Sequence, residues 1–166
     1  HTIKEYLNTF DKLKKINPNI EFSSDFIIAY PGEEIQDFED TIDLIKKIKF
    51  INSYSFIFSP RPGTVAESLK LIEKKISIKR LEKIQNLLSD HQIQINNSLE
   101  NKIVDVLVEN LTDDKTKTFG RSEHMTPVIF NGTKDDIGKI LQVRIKTSNR
   151  NTLFGEIETN SNQKVA

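Results

Sequence analysis

The stretch SSDFIIAYPGEE, residues 23–34, decides the fold of this chain, and YSFIFSPRPGT, residues 54–64, repeats its plan. In each stretch a run of apolar residues, typical of a buried strand, gives way to a Pro-Gly pair and polar side chains. Parallel α/β sheets place their functional sites where strands end in loops, and glycine tolerates the backbone conformations needed there. The two stretches therefore predict two strands whose ends carry parts of a site.

The residues around these strands have a helical period. Residues 35–48 place Phe38, Ile42, Ile45 and Ile48 on one stripe, which predicts a helix that packs on the sheet and completes a right-handed βαβ unit. A further helix is expected over residues 2–15. A long connecting helix is expected to begin at Ser77 as its N-cap.

The first strand, within residues 22–30, is expected to be covered on both faces, because it is a nearly continuous apolar run after Asp25. Beyond residue 101 the period changes to two, which is typical of short strands. The predicted strands are 103–108, 116–121, 127–130, 140–146 and 153–158, and they form a small five-stranded barrel. The predicted fold class is thus α/β followed by all-β, with domains at 1–100 and 101–160 and a frayed tail at 161–166.

Composition excludes several classes of function. The 166 residues carry 24 Lys and Arg against 24 Asp and Glu, so no overall field attracts nucleic acid or a membrane. The chain has no cysteine, which excludes disulfides, thiolate zinc sites and a thiolate-held iron–sulfur cluster within it. No apolar run is long enough to cross a bilayer and no secretory signal is present, so we expect a cytoplasmic location and no membrane partner.

The start of the chain indicates a fragment. The first residue is His1 rather than Met, and an amphipathic pattern is already running at Ile3 and Leu7. No Ser-His-Asp order, paired carboxylates or metal-ligand spacing stands out, so no catalytic residue and no metal ligand is predicted.

The first Pro-Gly turn offers a candidate binding site. A glycine at a strand-to-helix turn often cradles phosphate, but Glu33, Glu34 and Asp37 in the first helical turn would repel an anion. A cationic or zwitterionic ligand fits better, while a plain turn between strand and helix explains the same residues. Asp25 lies in an otherwise apolar strand. Its carboxylate either faces a lysine or backbone N–H groups at the strand start, or faces a ligand.

In the second turn, two prolines restrict the backbone around Arg61. Arg61 lies between two prolines, so its guanidinium can be aimed at a carboxylate or an RNA phosphate with little loss of entropy; a surface ion pair is the alternative. Ser55 and Ser59 share strand parity and either point into a barrel interior or make ordinary hydrogen bonds.

The β-rich region carries cations and aromatic rings, the groups with which small barrels bind single-stranded nucleic acid. The candidate RNA-binding residues are Lys102, Lys117, Arg121, Arg144 and Lys146. Phe119, Phe130 and Phe154 are either stacking surfaces or core. The basic surplus is small, since residues 101–166 hold 10 Lys and Arg against 9 Asp and Glu.

Residues 22–34, the string SPRPGT at 59–64 and the β-rich segment together resemble the methylthiotransferase family of radical S-adenosylmethionine enzymes over essentially the whole chain. The resemblance implies the C-terminal part of a radical SAM (TIM-like) barrel, followed by the RNA-binding β-barrel called the TRAM domain. It also implies that S-adenosylmethionine is enclosed near the two strands. The residues matching this role are Ser24, Asp25, Tyr30, Pro31, Gly32, Glu33, Ser59 and Arg61.

The family resemblance also implies a substrate and a second cofactor. The substrate is tRNA, bound at its anticodon stem-loop and modified at the adenosine next to the anticodon; the Arg61-Pro62 pair favours the isopentenyladenosine branch. The family's [4Fe-4S] clusters are held by cysteines upstream of anything present here. The chain alone is therefore expected to be a catalytically inactive part of a transferase. The missing N-terminal half is then a candidate partner.

One position departs from the family pattern, and two other interpretations stay open. Thr126 stands where the family has a second arginine in its barrel, which predicts weakened RNA affinity. The alternatives are a stand-alone TRAM-type RNA-binding protein and a non-functional gene remnant.

Overall fold

The computed structural model describes residues 2–158, so the tail predicted at 161–166 lies outside the described residues. An α/β unit precedes a β-barrel. The α/β unit consists of α1 (Ile3–Ile16), β1 (Asp25–Ile28), α2 (Ile35–Ile48), β2 (Tyr54–Ile57) and α3 (Lys74–Ser98). The barrel consists of β3 (Ile103–Leu111), β4 (Thr118–Ser122), β5 (Pro127–Asn131), β6 (Ile140–Ser148) and β7 (Leu153–Ile157).

Helix α2 has the predicted bounds, and its apolar stripe is buried against the sheet. The carboxylate of Asp37 accepts the backbone N–H of Glu34 at 2.8 Å, which satisfies one of the free donors at the helix start. Strands β1 and β2 pair in parallel, as the βαβ pattern predicts.

The prediction that both faces of β1 are covered is wrong for this chain. Phe26 and Ile28 pack against the helices, but Ile27 and Phe56, directly paired on the other face, are 63% and 54% exposed. Within residues 2–158 the sheet thus has one helix-covered face and one open apolar face.

Helix α3 begins earlier than predicted. Glu73 is its N-cap, and Ser77 lies inside the first turn with its hydroxyl donating to the Glu73 carbonyl at 3.2 Å. The N-cap prediction for Ser77 is wrong because the backbone N–H groups of Ile76 and Ser77 already bond to Glu73. The helix buries Ile84 and Leu88 in the α/β core.

The predicted five-stranded barrel is confirmed: it is closed in the order β3-β4-β5-β7-β6. Val106, Val128, Phe130, Val143 and Leu153 fill much of its interior. Two glycines allow the strands to cross closely, since a Cβ on Gly120 would lie 2.4 Å from the Leu107 carbonyl oxygen and one on Gly155 would lie 2.5 Å from that of Arg144. Beside each glycine the partner strand is bulged, a usual device for bending a sheet into a barrel.

A chain of amide hydrogen bonds joins the two units along α3. The backbone N–H of Asn52 donates to Gln92 Oε1 at 2.8 Å, and Gln92 Nε2 donates to Asn96 Oδ1 at 3.0 Å. Asn96 is fully buried, and its Nδ2 donates to the carbonyls of Asn149 (2.8 Å) and Arg150 (3.0 Å) in the β6–β7 turn.

Asn52, at the other end of these hydrogen bonds, contacts a second turn of the barrel. Asn52 Nδ2 donates to the carbonyl of His124, in the β4–β5 turn, at 2.7 Å. Asn52, Gln92 and Asn96, which we call the amide chain, therefore connect the start of β2 to two separate turns of the barrel. Because each side-chain nitrogen in it donates to an oxygen, the amide chain specifies one arrangement of the two units.

Replacing Asn96 by aspartate should break this junction. Asn96→Asp keeps the oxygen that accepts from Gln92 but removes both donors and leaves a buried carboxylate facing two carbonyls. We expect a loss of about 3 kcal/mol or more in the free energy of unfolding, measured by urea denaturation.

Asn97→Asp is the matched control. The Oδ1 of Asn97 only accepts from the hydroxyl of Ser148, at 2.8 Å, and the side chain is exposed, so the aspartate should cost less than about 1 kcal/mol. Equal losses in the two variants would contradict the assigned role of Asn96.

Candidate cofactor edge and nucleic-acid interface

The two Pro-Gly turns lie at the same edge of the sheet. β1 and β2 run parallel with Ile28 opposite Ile57, and the N–H of Phe58 donates to the Ile28 carbonyl at 2.8 Å. Both chains therefore leave the sheet side by side at its carboxyl edge. The predicted convergence of the two strand ends is present.

The first turn has the geometry that its sequence favours. The N–H of Glu33 donates to the Tyr30 carbonyl at 2.9 Å, with Pro31 and Gly32 between them and a φ of 92° at the glycine. This is the type II arrangement, in which Pro precedes a Gly with positive φ. Just before it, buried Ala29 has a φ of 56°, a conformation that non-glycine residues rarely adopt.

The Glu33 side chain holds this strained segment in place. Its Oε2 accepts the N–H of Ala29 at 2.8 Å, and its Oε1 pairs with Arg80 Nη1 of α3. Only 13% of the Glu33 side chain and 10% of the Arg80 side chain are exposed. The carboxylate is thus already used by protein donors, which supports a structural role for Glu33; the cofactor contact stays a prediction.

The second turn, Arg61–Thr64, also has Pro before a positive-φ Gly, but its charged residue, Arg61, is exposed. Arg61 O accepts the N–H of Thr64 at 3.3 Å, and Gly63 has a φ of 78°. The Gly63 N–H donates to Glu67 Oε2 at 2.8 Å, which braces the turn. The Arg61 side chain is exposed and has no ion-pair partner within residues 2–158, so it is available to a ligand.

The structure does not bring all eight predicted cofactor residues together. Tyr30, Pro31, Gly32, Glu33, Ser59 and Arg61 lie at or just beyond the carboxyl edge. Ser24 and Asp25 lie at the amino end of β1, and Asp25 is roughly 10 Å along the strand from Ile28, its last residue, at about 3.3 Å per residue. The order of these residues along the strand, which the sequence already gives, places the two groups at opposite ends of β1.

The contacts and exposure of the other residues predicted near the strand ends depend on which face of the sheet each one occupies. Asp25 is exposed, so its carboxylate needs no buried partner, and the Ser24 N–H donates to Ser53 Oγ at 2.9 Å. Ser55 pairs with Phe26 on the helix-covered face, so of its two interpretations the one that points it into a barrel interior is wrong. Tyr30 is 47% exposed, and its ring packs edge-on against Phe58 with centroids 4.9 Å apart.

On the β-barrel, acidic neighbours neutralise three of the five predicted RNA-binding cations. Arg144 donates to both carboxylate oxygens of Glu158 at 2.8 Å. These hydrogen bonds and the charge of the partner raise the pKa of Arg144, and the Arg144 hydrogen bonds lower the pKa of Glu158. The pair therefore stabilises the barrel above the usual pKa of a glutamate, and this contribution is lost as pH falls through the lowered value.

The other cations divide into paired and unpaired groups. Lys146 pairs with Glu156 at 2.6 Å, and Arg121 pairs with Glu109 at 3.3 Å while lying 5.6 Å from the Phe119 ring centroid. Lys102 and Lys117 make no ion pair with any residue of the described range. The unpaired lysines are thus the better candidates for phosphate contact.

Phe130 and Thr126, both singled out from the sequence, are buried. Phe130 is 1% exposed and belongs to the barrel core, so its alternative interpretation as a stacking surface is wrong. Thr126 is 2% exposed, and its N–H donates to Ser122 Oγ at 3.3 Å, so it closes the β4–β5 turn.

Sequence reasoning missed a cleft between the two units. It has a volume of about 830 Å³ and runs from the free edge of β2, past α3, to the barrel. Its charged lining residues are Arg121 and Arg150, and Tyr54, Phe56 and Met125 contribute exposed apolar surface. No pattern along the chain could reveal it, because its walls come from segments far apart in sequence.

Metal sites and membrane spans were sought in the described part of the chain. Residues 2–158 contain no group of three or more His, Cys, Asp or Glu side chains placed to hold a metal ion. None of the helices in this range combines the length and apolar character needed to cross a bilayer.

Comparison with known proteins finds similarity along the whole chain. The TRAM domain family matches residues 97–157. A protein of Pelagibacter ubique named tRNA-2-methylthio-N(6)-dimethylallyladenosine synthase is 61% identical over all 166 residues. Proteins of the same name from Buchnera aphidicola and Wolbachia pipientis of Culex pipiens are 42% and 40% identical over 98% and 93% of the chain. The chain spans 37%, 37% and 36% of the lengths of these relatives.

Removing the Glu33 carboxylate should test its structural role. Glu33→Ala leaves Arg80, whose side chain is 10% exposed, without its carboxylate partner and with only the Glu33 backbone carbonyl as acceptor. It also removes the acceptor of the Ala29 N–H, so we expect the free energy of unfolding to fall by about 3 kcal/mol.

Glu39→Ala is the matched control, because Glu39 also pairs with α3, through Lys83 at 2.7 Å, but both side chains are about half exposed. Its removal should cost no more than about 1 kcal/mol in the same denaturation measurement. A loss in Glu33→Ala as small as the control's would show that the turn does not depend on this carboxylate.

Proposed function

The chain belongs to the tRNA-2-methylthio-N(6)-dimethylallyladenosine synthase family, and from this premise we propose that it is a segment of an enzyme that adds a methylthio group to that adenosine in tRNA. The observation that carries the proposal is the 61% identity over the whole chain. We further propose that the α/β unit forms the C-terminal part of a radical SAM (TIM-like) barrel. The open apolar face of β1 and β2 supports this, since such a face is covered inside a closed barrel.

We propose that the TRAM barrel binds tRNA, with the anticodon stem-loop as the contacted part. The match to the TRAM domain and the two unpaired lysines, Lys102 and Lys117, support this. The ion pairs of Arg121, Arg144 and Lys146 make these three weaker candidates, because each would have to exchange an internal carboxylate for a phosphate.

The carboxyl edge of the sheet fits S-adenosylmethionine, which would supply the methyl group. A Cβ placed on Gly32 or Gly63 would meet nothing within 4 Å, so a ligand can approach the backbone of both turns closely. Tyr30 offers an exposed ring and Arg61 an unpaired guanidinium for the ligand's carboxylate. Ser24 and Asp25, at the other end of β1, are less well placed.

The residues present do not fit an iron–sulfur cluster. The chain has no cysteine, and the described residues contain no alternative metal-binding group. We therefore propose that the [4Fe-4S] clusters of the complete enzyme are held by another part of it, and that the 166-residue chain alone is not catalytic. The cytoplasmic location stays a prediction.

A stand-alone RNA-binding protein is the second candidate function, and the closed barrel favours it, because a barrel without free edges is complete as a binding module. The gene-remnant interpretation has no observation in its favour.

A chimera distinguishes these functions. The chain would replace the aligned segment of the Pelagibacter ubique relative, and methylthio-adenosine in tRNA would be measured by mass spectrometry. We expect the chimera to be active and the free chain to be inactive. In the chimera, Arg61→Ala should lower turnover about 10–100-fold, the loss of one charge-assisted contact, without changing the melting temperature.

Lys12→Ala on the exposed surface of α1 is the control for the lost charge and should leave turnover unchanged. A chimera that folds but forms no methylthio-adenosine would refute the proposed enzyme segment. A chimera whose turnover is unaffected by Arg61→Ala would refute the role of that arginine.

A further inference from the structure

We propose that Arg80 of α3 is a positioning residue for S-adenosylmethionine: acting through Glu33, it holds the Ala29 backbone in the conformation that the cofactor meets. This inference rests on the proposed cofactor site at the carboxyl edge of the sheet and adds to that site a residue that does not touch the ligand. The Arg80 side chain is 10% exposed and its guanidinium contacts Glu33, so its effect on a ligand passes through the first Pro-Gly turn.

The backbone of Ala29 is in an unfavourable conformation that needs an outside contact. Its φ of 56° is one that a residue with a Cβ rarely adopts, and such a conformation persists only where surrounding contacts impose it. Strand β1 ends at Ile28, and the Ala29 N–H donates to Glu33 Oε2 at 2.8 Å rather than to β2. The Glu33 carboxylate is therefore the contact that imposes this conformation.

Glu33 contacts the chain on both sides of Tyr30. Its N–H donates to the Tyr30 carbonyl at 2.9 Å, and its carboxylate accepts the N–H of Ala29. Between these two contacts the Tyr30 ring is 47% exposed, and Gly32 follows with open space where a Cβ would lie. A displacement of the Glu33 side chain would thus move both the exposed ring and the glycine backbone that a ligand approaches.

Arg80 fixes the carboxylate of Glu33 from the side of the helices. Its Nη1 pairs with Glu33 Oε1 and also donates to the Glu33 carbonyl at 3.2 Å. Its guanidinium carbon lies 5.2 Å from the ring centroid of Phe38, a buried residue of α2. Without Arg80, the poorly exposed carboxylate would have no charged partner and would turn towards water, since an unpaired buried charge is costly. This rotation would release the Ala29 N–H and let its backbone relax.

The expected consequence is a smaller population of the conformation that binds the cofactor. When only a fraction of the molecules has the binding conformation, the apparent affinity falls by that fraction. Arg80→Met removes both hydrogen bonds but keeps an apolar stem against Phe38. If about a tenth of the molecules keep the turn in place, S-adenosylmethionine should bind about tenfold more weakly.

Isothermal titration calorimetry of S-adenosylmethionine into the chimeric enzyme measures this affinity directly. Lys83→Met is the matched control, because Lys83 lies on the same helix with its Nζ 5.4 Å from the same Phe38 ring, but pairs with Glu39 of α2 instead of the turn. The control should bind S-adenosylmethionine as the unchanged chimera does, while Arg80→Met should bind it about tenfold more weakly.

Hydrogen exchange in the 166-residue chain supplies a measurement that needs no cofactor. The exchange rate of the Ala29 amide is divided by that of Ile45, which is fully buried in α2, so that a general loss of stability cancels. Arg80→Met should raise this ratio at least about tenfold, and Lys83→Met should leave it unchanged. If Arg80→Met does not fold, Arg80→Lys takes its place, and the ratio should rise by a smaller factor because a charged donor remains.

A second substitution tests whether backbone strain is the cause. Glycine adopts a positive φ about as readily as a negative one, so Ala29→Gly removes the need for an imposed conformation. In the Arg80→Met chimera, Ala29→Gly should restore the affinity for S-adenosylmethionine to within about threefold of the unchanged chimera. A residue that only attached α3 to α2 would not be compensated by this change.

The outcomes separate this inference from the proposed function. A chimera that binds S-adenosylmethionine equally well with and without Arg80 would overturn the positioning role and leave the proposed enzyme segment standing. Equal acceleration of exchange at Ala29 and Ile45, or no recovery with Ala29→Gly, would show that Arg80 only stabilises the fold. An unchanged chimera that binds no S-adenosylmethionine would overturn both the proposed cofactor site and the role of Arg80 in it.

Discussion

The amide chain of Asn52, Gln92 and Asn96 is the constraint on which the rest of the structure depends. A buried amide without partners costs about 1–3 kcal/mol for each unsatisfied group. The hydrogen bonds of Gln92 and Asn96, which are both buried, therefore favour one relative placement of sheet and barrel over any that breaks them. Asn52 contacts the β4–β5 turn and Asn96 the β6–β7 turn. The walls of the cleft and the distance from the carboxyl edge of the sheet to the barrel both follow from these contacts.

Local backbone chemistry sets the other half of the candidate site. Two type II turns, each with Pro before a positive-φ Gly, end the parallel strands at one edge. Glu33 and Arg80 then tie the first turn to α3, the helix that also carries Gln92 and Asn96. Helix α3 thus connects the proposed cofactor edge to the barrel that we propose binds RNA, and any tilt of this helix would move both.

Much of the fold could be predicted from the sequence, because hydrophobic periodicity is a local signal. The stripe on α2 and the alternating runs of the barrel predicted elements that the structure confirms. The start of α3 was misplaced because Glu73, a poor N-cap by type, begins the helix. The site was less predictable: the ion pairs of Arg144 and Lys146 and the cleft around Arg150 depend on contacts between distant segments. The separation of Asp25 from Tyr30 was available from strand direction alone.

The central claim is that the sheet unit and the barrel form one rigid body through the amide chain. Residual dipolar couplings of backbone amides, measured on the chain in a weakly aligning medium, test this most directly. Fits of residues 25–98 and residues 103–158 should yield the same alignment tensor, in magnitude and orientation. Two different tensors in the wild-type chain would show that the units reorient independently and would contradict the account.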